Sequence, residues 1–317
     1  MKKILTSVFV IALVAGAAFA GTQAFFSDTE ESTGNVLAAG AIDLQIDNES
    51  YFGGLVCAPS GDNGNTWQIP TGGTQPTDPY YLGLLNEPCT TSWELSDLDG
   101  HLFFNFLDIK PGDWGEDTIS FHVNNNDSWL CAEVTLTENN ENVAVEPELD
   151  EEDVDDSDNI NADLFDGELA EEIEFIWWAD DGDNVLEDDE ELLLSSPVNL
   201  GDAPQGSPVQ VTLADSDNNI WTGAPNDPFI GSDPEDPEIF YIGKAWCFGG
   251  FDEGSLNNRP TQEQVGLDGN PGQQGNGILC DGSQVVGNKA QTDIAKMDIA
   301  FTATQSRNNA EFLCQRP

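Results

Sequence analysis

Apolar and polar positions alternate with a period of two in short stretches along this 317-residue chain. Residues 41–47 place Ile42, Leu44 and Ile46 on one face and Asp43, Gln45 and Asp47 on the other. That pattern predicts a half-buried strand. Residues 118–123 repeat it with Ile119, Phe121 and Val123, and residues 129–137 with Leu130, Ala132, Val134 and Leu136. Between them, Asn124-Asn125-Asn126-Asp127 predicts a turn, and Lys110-Pro111-Gly112-Asp113 predicts another just upstream. With a strand over residues 101–107, despite its Phe103-Phe104 pair, this region reads as a three-strand meander. Further strands are expected at residues 174–179, 209–213, 240–248 and 294–303, the last with Met297, Ile299 and Phe301 on one face. A short helix is expected over residues 164–172, capped by Asp163. Many short strands, Gly/Pro/Asn turns and scarcely any 3.6-residue periodicity predict an all-β, antiparallel sandwich or jelly roll.

Long irregular stretches interrupt the strands, near 53–92, 138–163, 180–238 and 249–287. The first is rich in Gly, Pro, Thr and Asn and reads as a disulfide-closed loop with little regular structure. Nine of the thirteen residues from 146 to 158 are acidic, which predicts a self-repelling, solvated run.

The chain opens on Lys2 and Lys3, then an apolar or small run of about 17 residues over 4–20, at the lower limit of a spanning helix. Thr22 and Ala24 suit the small-residue subsites of a signal peptidase, so residues 1–24 are expected to be a signal peptide cut between Ala24 and Phe25. No basic stop-transfer cluster follows, so no stable membrane anchor is expected to remain. Residues 25–317 are expected to form one β-sandwich domain carrying the insertions.

This junction resembles the start of the TasA/camelysin proteins. The run from Thr22 through Phe25-Phe26-Ser27-Asp28 to Glu30 looks like that family's dedicated signal-peptidase site. Val36-Leu37-Ala38-Ala39-Gly40-Ala41-Ile42-Asp43-Leu44 is similar to the strand that follows it. A second match is Ile109-Lys110-Pro111-Gly112-Asp113, then the strand 118–123 ending in Asn124-Asn125. The stretch bounded by the two motifs covers about a third of the chain. The six cysteines and the acidic insertions depart from simpler members. The resemblance implies a jelly roll and a secreted matrix protein. It also implies assembly into filaments, in which Phe25, Phe26, Ser27 and Asp28 begin a donor strand added to a neighbouring copy. A camelysin-type metallopeptidase is the enzymatic alternative. The residues give it little support, since there is no HExxH and His101 and His122 lie on separate predicted elements. A secreted glycosidase gains nothing from carboxylate pairs in so acidic a chain.

Composition narrows the partners. Asp and Glu number 59 against 9 Lys and Arg, a net charge of −50. Loss of Lys2 and Lys3 leaves 7 basic residues and a charge of −52. Such a surface repels nucleic acid and anionic lipid. High salt screens it, and bound divalent cations neutralise it. The best cation motif is the twelve residues 179–190, aligned on an EF-hand loop. Asp181 and Asp183 fall at positions 3 and 5, Asn184 at the left-handed position 6, Leu186 at the apolar position 8 and Glu190 at the closing position 12. Position 1 is Ala179, for which Asp180 is the nearest substitute; Glu187 adds a further carboxylate. Calcium is the cofactor this set suits, which makes a monomeric calcium-dependent surface module the alternative function. Asp215-Ser216-Asp217-Asn218-Asn219 is a weaker Asp-rich turn.

Six cysteines, Cys57, Cys89, Cys131, Cys247, Cys280 and Cys314, predict three disulfides in an exported chain. Proximity favours Cys57–Cys89 and Cys280–Cys314, leaving Cys131–Cys247.

Overall fold

The computed structural model describes residues 42–61, 64–142, 148, 164–193, 197–231, 238–261, 278–285 and 287–314, and the backbone of 27–31. Among these, the elements are β1 (Ser27–Glu31), β2 (Asp43–Phe52), β3 (Leu55–Pro59), β4 (Asn65–Gln68), helix α1 (Pro79–Leu84), β5 (Trp93–Ser96), β6 (Trp114–Asn124) and β7 (Ser128–Asn140). Then follow β8 (Ile173–Asp180), β9 (Val198–Asn199), β10 (Val209–Ala214), β11 (Ile239–Phe248), β12 (Gly250–Phe251), helix α2 (Glu253–Asn257), β13 (Cys280–Asp281) and β14 (Ile294–Gln305). Every strand pairing is antiparallel.

Two sheets dominate. One has the order β1-β14-β7-β10, the other β4-β3-β2-β6-β11-β8-β9 with β5 against β2, and β12 and β13 form a small ribbon. The principal core takes Leu44, Ile46, Ile119, Phe121 and Ile242 from the larger sheet and Leu130, Leu136, Leu213, Ile299 and Phe301 from the smaller. An all-β sandwich is therefore the fold.

Strict alternation locates most strands and their inward faces. Ile42, Leu44 and Ile46 are buried, as are Ile119, Phe121 and Val123. The turn between β6 and β7 has Asn125 at φ 76°, a left-handed conformation that Asn tolerates. That turn does not close a hairpin. β6 pairs with β2 and β11, while β7 pairs with β14 and β10, so the chain crosses there from one sheet to the other. The expected meander is corrected accordingly: alternation says which side chains face the core, not which strands are neighbours.

Other expectations are also corrected. Residues 101–107 form no strand. They lay aromatic rings on the core instead: Phe103 is buried, and Phe106 stacks on Phe52 at a centroid distance of 4.6 Å. Residues 53–92 carry β3, β4 and α1, whose N-cap Asp78 accepts from the Tyr80 amide. The helix expected over 164–172 is reduced to one 3-10 turn, Leu169–Glu172. Gly167 lies flat against the end of β7, where a Cβ would stand 2.8 Å from the Asn140 carbonyl carbon. Asn139 straps the same stretch by accepting from the Ala170 amide at 3.0 Å. Asp163, the expected cap, lies outside the described residues.

All six cysteines are paired, as Cys57–Cys89, Cys131–Cys314 and Cys247–Cys280. The first matches expectation and the other two correct it. Cys280 sits in β13, against the ribbon strand that follows Cys247. Cys314 ends a segment that folds back over β7, where Cys314 Sγ lies 3.5 Å from the Leu130 carbonyl. Cys247 and Cys280 are 33 residues apart, so proximity could not discriminate between the candidate partners of Cys280. The pairs suit an oxidising environment. No described helix is long and apolar enough to cross a membrane.

Candidate functional site: an acidic loop and an edge strand

β8 runs out of the sheet directly into the acidic loop. The outer face of β8 and β11 carries a second core of Ile176, Trp178, Ala245 and Cys247, roofed by Leu186, Phe251 and Ile278. Leu186, the apolar position of the loop pattern, is thus the anchor that holds the acidic turn against the sheet. Asn184 has φ 58°, the left-handed conformation its position requires.

Asp180 organises the turn. It is buried, and it accepts from Trp178 Nε1 at 3.0 Å through Oδ1 and from the Gly182 and Asn184 amides at 2.9 and 3.2 Å through Oδ2. Asp183 Oδ1 accepts from the Val185 amide. Ligand oxygens of Asp180, Asp181 and Asp183 converge within 4.8 Å of one another. Glu187 and Glu190 stand outside that group of three. Glu190 closes the loop by accepting from the Asp181 and Glu187 amides at 3.1 and 2.8 Å. Glu187 is 0% exposed, and among the described residues neither of its carboxylate oxygens receives a hydrogen bond from a donor group. Burial pushes the carboxyls of Asp180 and Glu187 up to about 7 and that of Glu190 up to about 10; hydrogen bonds, including that of Glu190 to Glu187, oppose it in part, and the charges of neighbouring carboxylates add to it. The loop borders an open cleft of about 430 Å³ shared with Ile220, Trp221, Thr222 and Gly223.

The second Asp-rich turn is structural. Asp215 is buried, accepts from the Asp217 and Asn218 amides through Oδ1, and ties down the C-terminal segment by accepting from the Cys314 amide through Oδ2. The two histidines are apart. His101 stacks on Trp93 and meets Ser96 Oγ, while His122 lies between Ser120 and Asp47. Among the described residues neither belongs to a cluster of potential metal ligands.

At the chain start, Ala24, Phe25 and Phe26 lie outside the described residues. Ser27 and Asp28 begin β1, which pairs with β14 of the same chain in the register Ser27↔Thr304 to Glu31↔Ala300. Among the described residues β1 is the edge of its sheet, with β14 as its single neighbour in the ladder.

No protein-family model matches the chain, and no curated protein does.

Proposed function

We propose that this is a secreted, non-enzymatic structural protein of the extracellular matrix or cell surface, which assembles into filaments by exchange of its N-terminal strand. The observation that carries this reading is the placement of β1. Among the described residues it is a five-residue edge strand held by backbone pairing to β14 alone. The same main-chain bonds form whether the strand comes from its own chain or from a neighbour, so exchange costs little. A strand passed head to tail makes a heterologous contact, which grows into an open filament where its rotation does not close a ring. The TasA/camelysin-like junction supports the same reading, with signal-peptidase cleavage before Phe25 freeing the strand.

Deleting residues 25–33 from the mature protein is expected to leave a folded monomer. Ile299, Phe301 and Ala303 of β14 stay in the core beside β7 without β1. Sedimentation and negative-stain microscopy, beside an unchanged near-UV spectrum, test this; filaments of normal yield from the truncated protein would overturn it.

Calcium at the acidic loop is the second part of the proposal, and the three converging aspartates beside the sealed Glu187 support it. Position 1 of the loop holds no carboxylate, so affinity is expected in the ~10⁻⁴–10⁻³ M range of extracellular modules. The loop also fixes the sign of a pH effect. The carboxyls of Asp180, Glu187 and Glu190 titrate higher in the folded chain than in the unfolded one, so their contribution is fully present on the acid side. It is lost as pH rises from the ordinary carboxylate range through about 7, and further toward about 10 for Glu190. In chelator, Tm should fall across that window. Millimolar calcium should flatten the fall, and the Asp181→Ala, Asp183→Ala variant should show a smaller calcium response than wild type. A calcium response in that variant equal to wild type would remove the loop from the account.

A further inference from the structure

A second group of carboxylates lies far from the loop, at the end of the smaller sheet. Glu141 follows the last residue of β7, Asp293 precedes the first residue of β14, and Glu168 precedes the 3-10 turn Leu169–Glu172. Glu148 comes from the acidic run, which was expected to be solvated throughout; this one described member of the run is instead buried. One oxygen from each of the four lies within 4.8 Å of the others.

The surroundings hold these groups in place without neutralising them. Asp293 Oδ2 accepts from the Glu168 and Leu169 amides at 2.6 and 3.0 Å, and Asp166 accepts from the Glu141 amide at 3.1 Å. Among the described residues Glu141 is 2% exposed, and both of its oxygens are buried and receive no hydrogen bond from a donor group. Glu168 Oε2 and Asp293 Oδ1 are buried and lack a partner as well. Lys289 acts on Glu168 only as a nearby charge. Burial, then the charge of Asp293, pushes Glu141 up to about 8 and Glu168 up to about 7. Four carboxylates drawn this close, two of them buried and two half-buried, repel one another unless protons or a cation sit among them.

We propose that Glu141, Glu148, Glu168 and Asp293 form a binding site for one calcium ion. The donors are all carboxylate oxygens, with no imidazole or thiolate, so the site suits a hard cation. Four carboxylates, monodentate or bidentate, supply the six to eight oxygens that calcium takes in flexible geometry, whereas magnesium demands a strict octahedron and keeps its water. The unpartnered Glu141 points into the group and is the central ligand. A bound ion joins the end of β7, the start of β14 and the strap at residues 164–170 into one clasp. It thereby stiffens the sheet whose edge receives β1. This site stands apart from the 180–190 loop and does not depend on it.

The test uses the mature full chain, stripped with chelator and dialysed against calcium alone in molar sodium chloride, which screens diffuse binding to the acidic surface. The Asp181→Ala, Asp183→Ala background removes the loop. In that background one saturable calcium per chain is expected, with a rise in Tm that magnesium does not reproduce. Adding Glu141→Gln, or Asp293→Asn in its place, should abolish that ion. Glu141→Gln should also raise Tm in chelator, because it deletes one of four repelling charges, so loss of binding is not mistaken for loss of fold. Calcium stoichiometry unchanged by both substitutions would overturn the site. So would a Glu141→Gln protein whose Tm falls in chelator and still rises with calcium as before.

Discussion

Replacing Lys244 with Met is expected to destabilise the sandwich by about 3–5 kcal/mol, the usual cost of leaving one member of a buried ion pair behind. Lys244 on β11 and Asp117 on β6 are direct cross-strand partners. Their Nζ and Oδ2 are 2.5 Å apart, at side-chain exposures of 0% and 1%. Both face the core, as do Ile119 and Ile242 two residues along each strand. Asn48 donates to Asp117 Oδ1 at 3.1 Å, and the Phe104 ring lies under the ammonium at 3.5 Å. With Lys244→Met, Asp117 keeps only Asn48. The reverse change, Asp117→Asn, should cost less. Burial already lowers the Lys244 pKa against the pull of Asp117, so the amine can shed its proton once the carboxylate is gone. The double variant Lys244→Met, Asp117→Leu should recover most of the loss, since apolar replacements of buried pairs are often neutral or better. Chemical denaturation of the three variants checks the ordering. Equal destabilisation by all three would mean that packing volume, not charge, governs the site.

The second large effect is expected at Cys131–Cys314. This disulfide spans 183 residues, against 32 for Cys57–Cys89 and 33 for Cys247–Cys280. In the loop-entropy account a closure of that length contributes roughly 5 kcal/mol, and the shorter two roughly 3.5 kcal/mol each. Cys131→Ala with Cys314→Ala also removes the covalent tie of this segment to β7 and leaves the amide of residue 314 on Asp215 to hold it. The paired substitution should therefore lower Tm more than removal of Cys57–Cys89 does. Thermal melts of the two double variants decide; a smaller drop for the long closure would show that residual structure in the unfolded chain outweighs loop length.

Much of the fold could be read from alternation. The strands around Ile42, Ile119, Leu130, Val211 and Phe301 follow a period of two because one face of each meets the core. Alternation is blind to partners, so the crossing of the chain between sheets at Asn124–Asp127 could not be read. It also fails at Phe103, Phe104 and Phe106, where rings are buried by a segment without ladder bonds. The acidic loop was legible because its residues are contiguous: Asn184 and Leu186 occupy the conformation and the burial that the spacing requires. The role of Asp180 was not, since a buried aspartate accepting three hydrogen bonds looks in sequence like any other acid. The Glu141, Glu148, Glu168 and Asp293 group left no local signal either. Its members are scattered through the chain, and only the pairing of β7 with β14 and the strap at Asn139 bring them together.

Exchange of β1 between copies is the central claim, and a cross-link placed in the β1–β14 ladder tests it most directly. Thr29 and Thr302 are Cα partners in that ladder. In assembled mature protein carrying Thr29→Cys and Thr302→Cys, oxidation should join each chain to the next. A non-reducing gel should then show a ladder of covalent oligomers that collapses to monomer on reduction. Filaments that yield only internally cross-linked monomer would place β1 permanently in its own chain and contradict assembly by strand exchange.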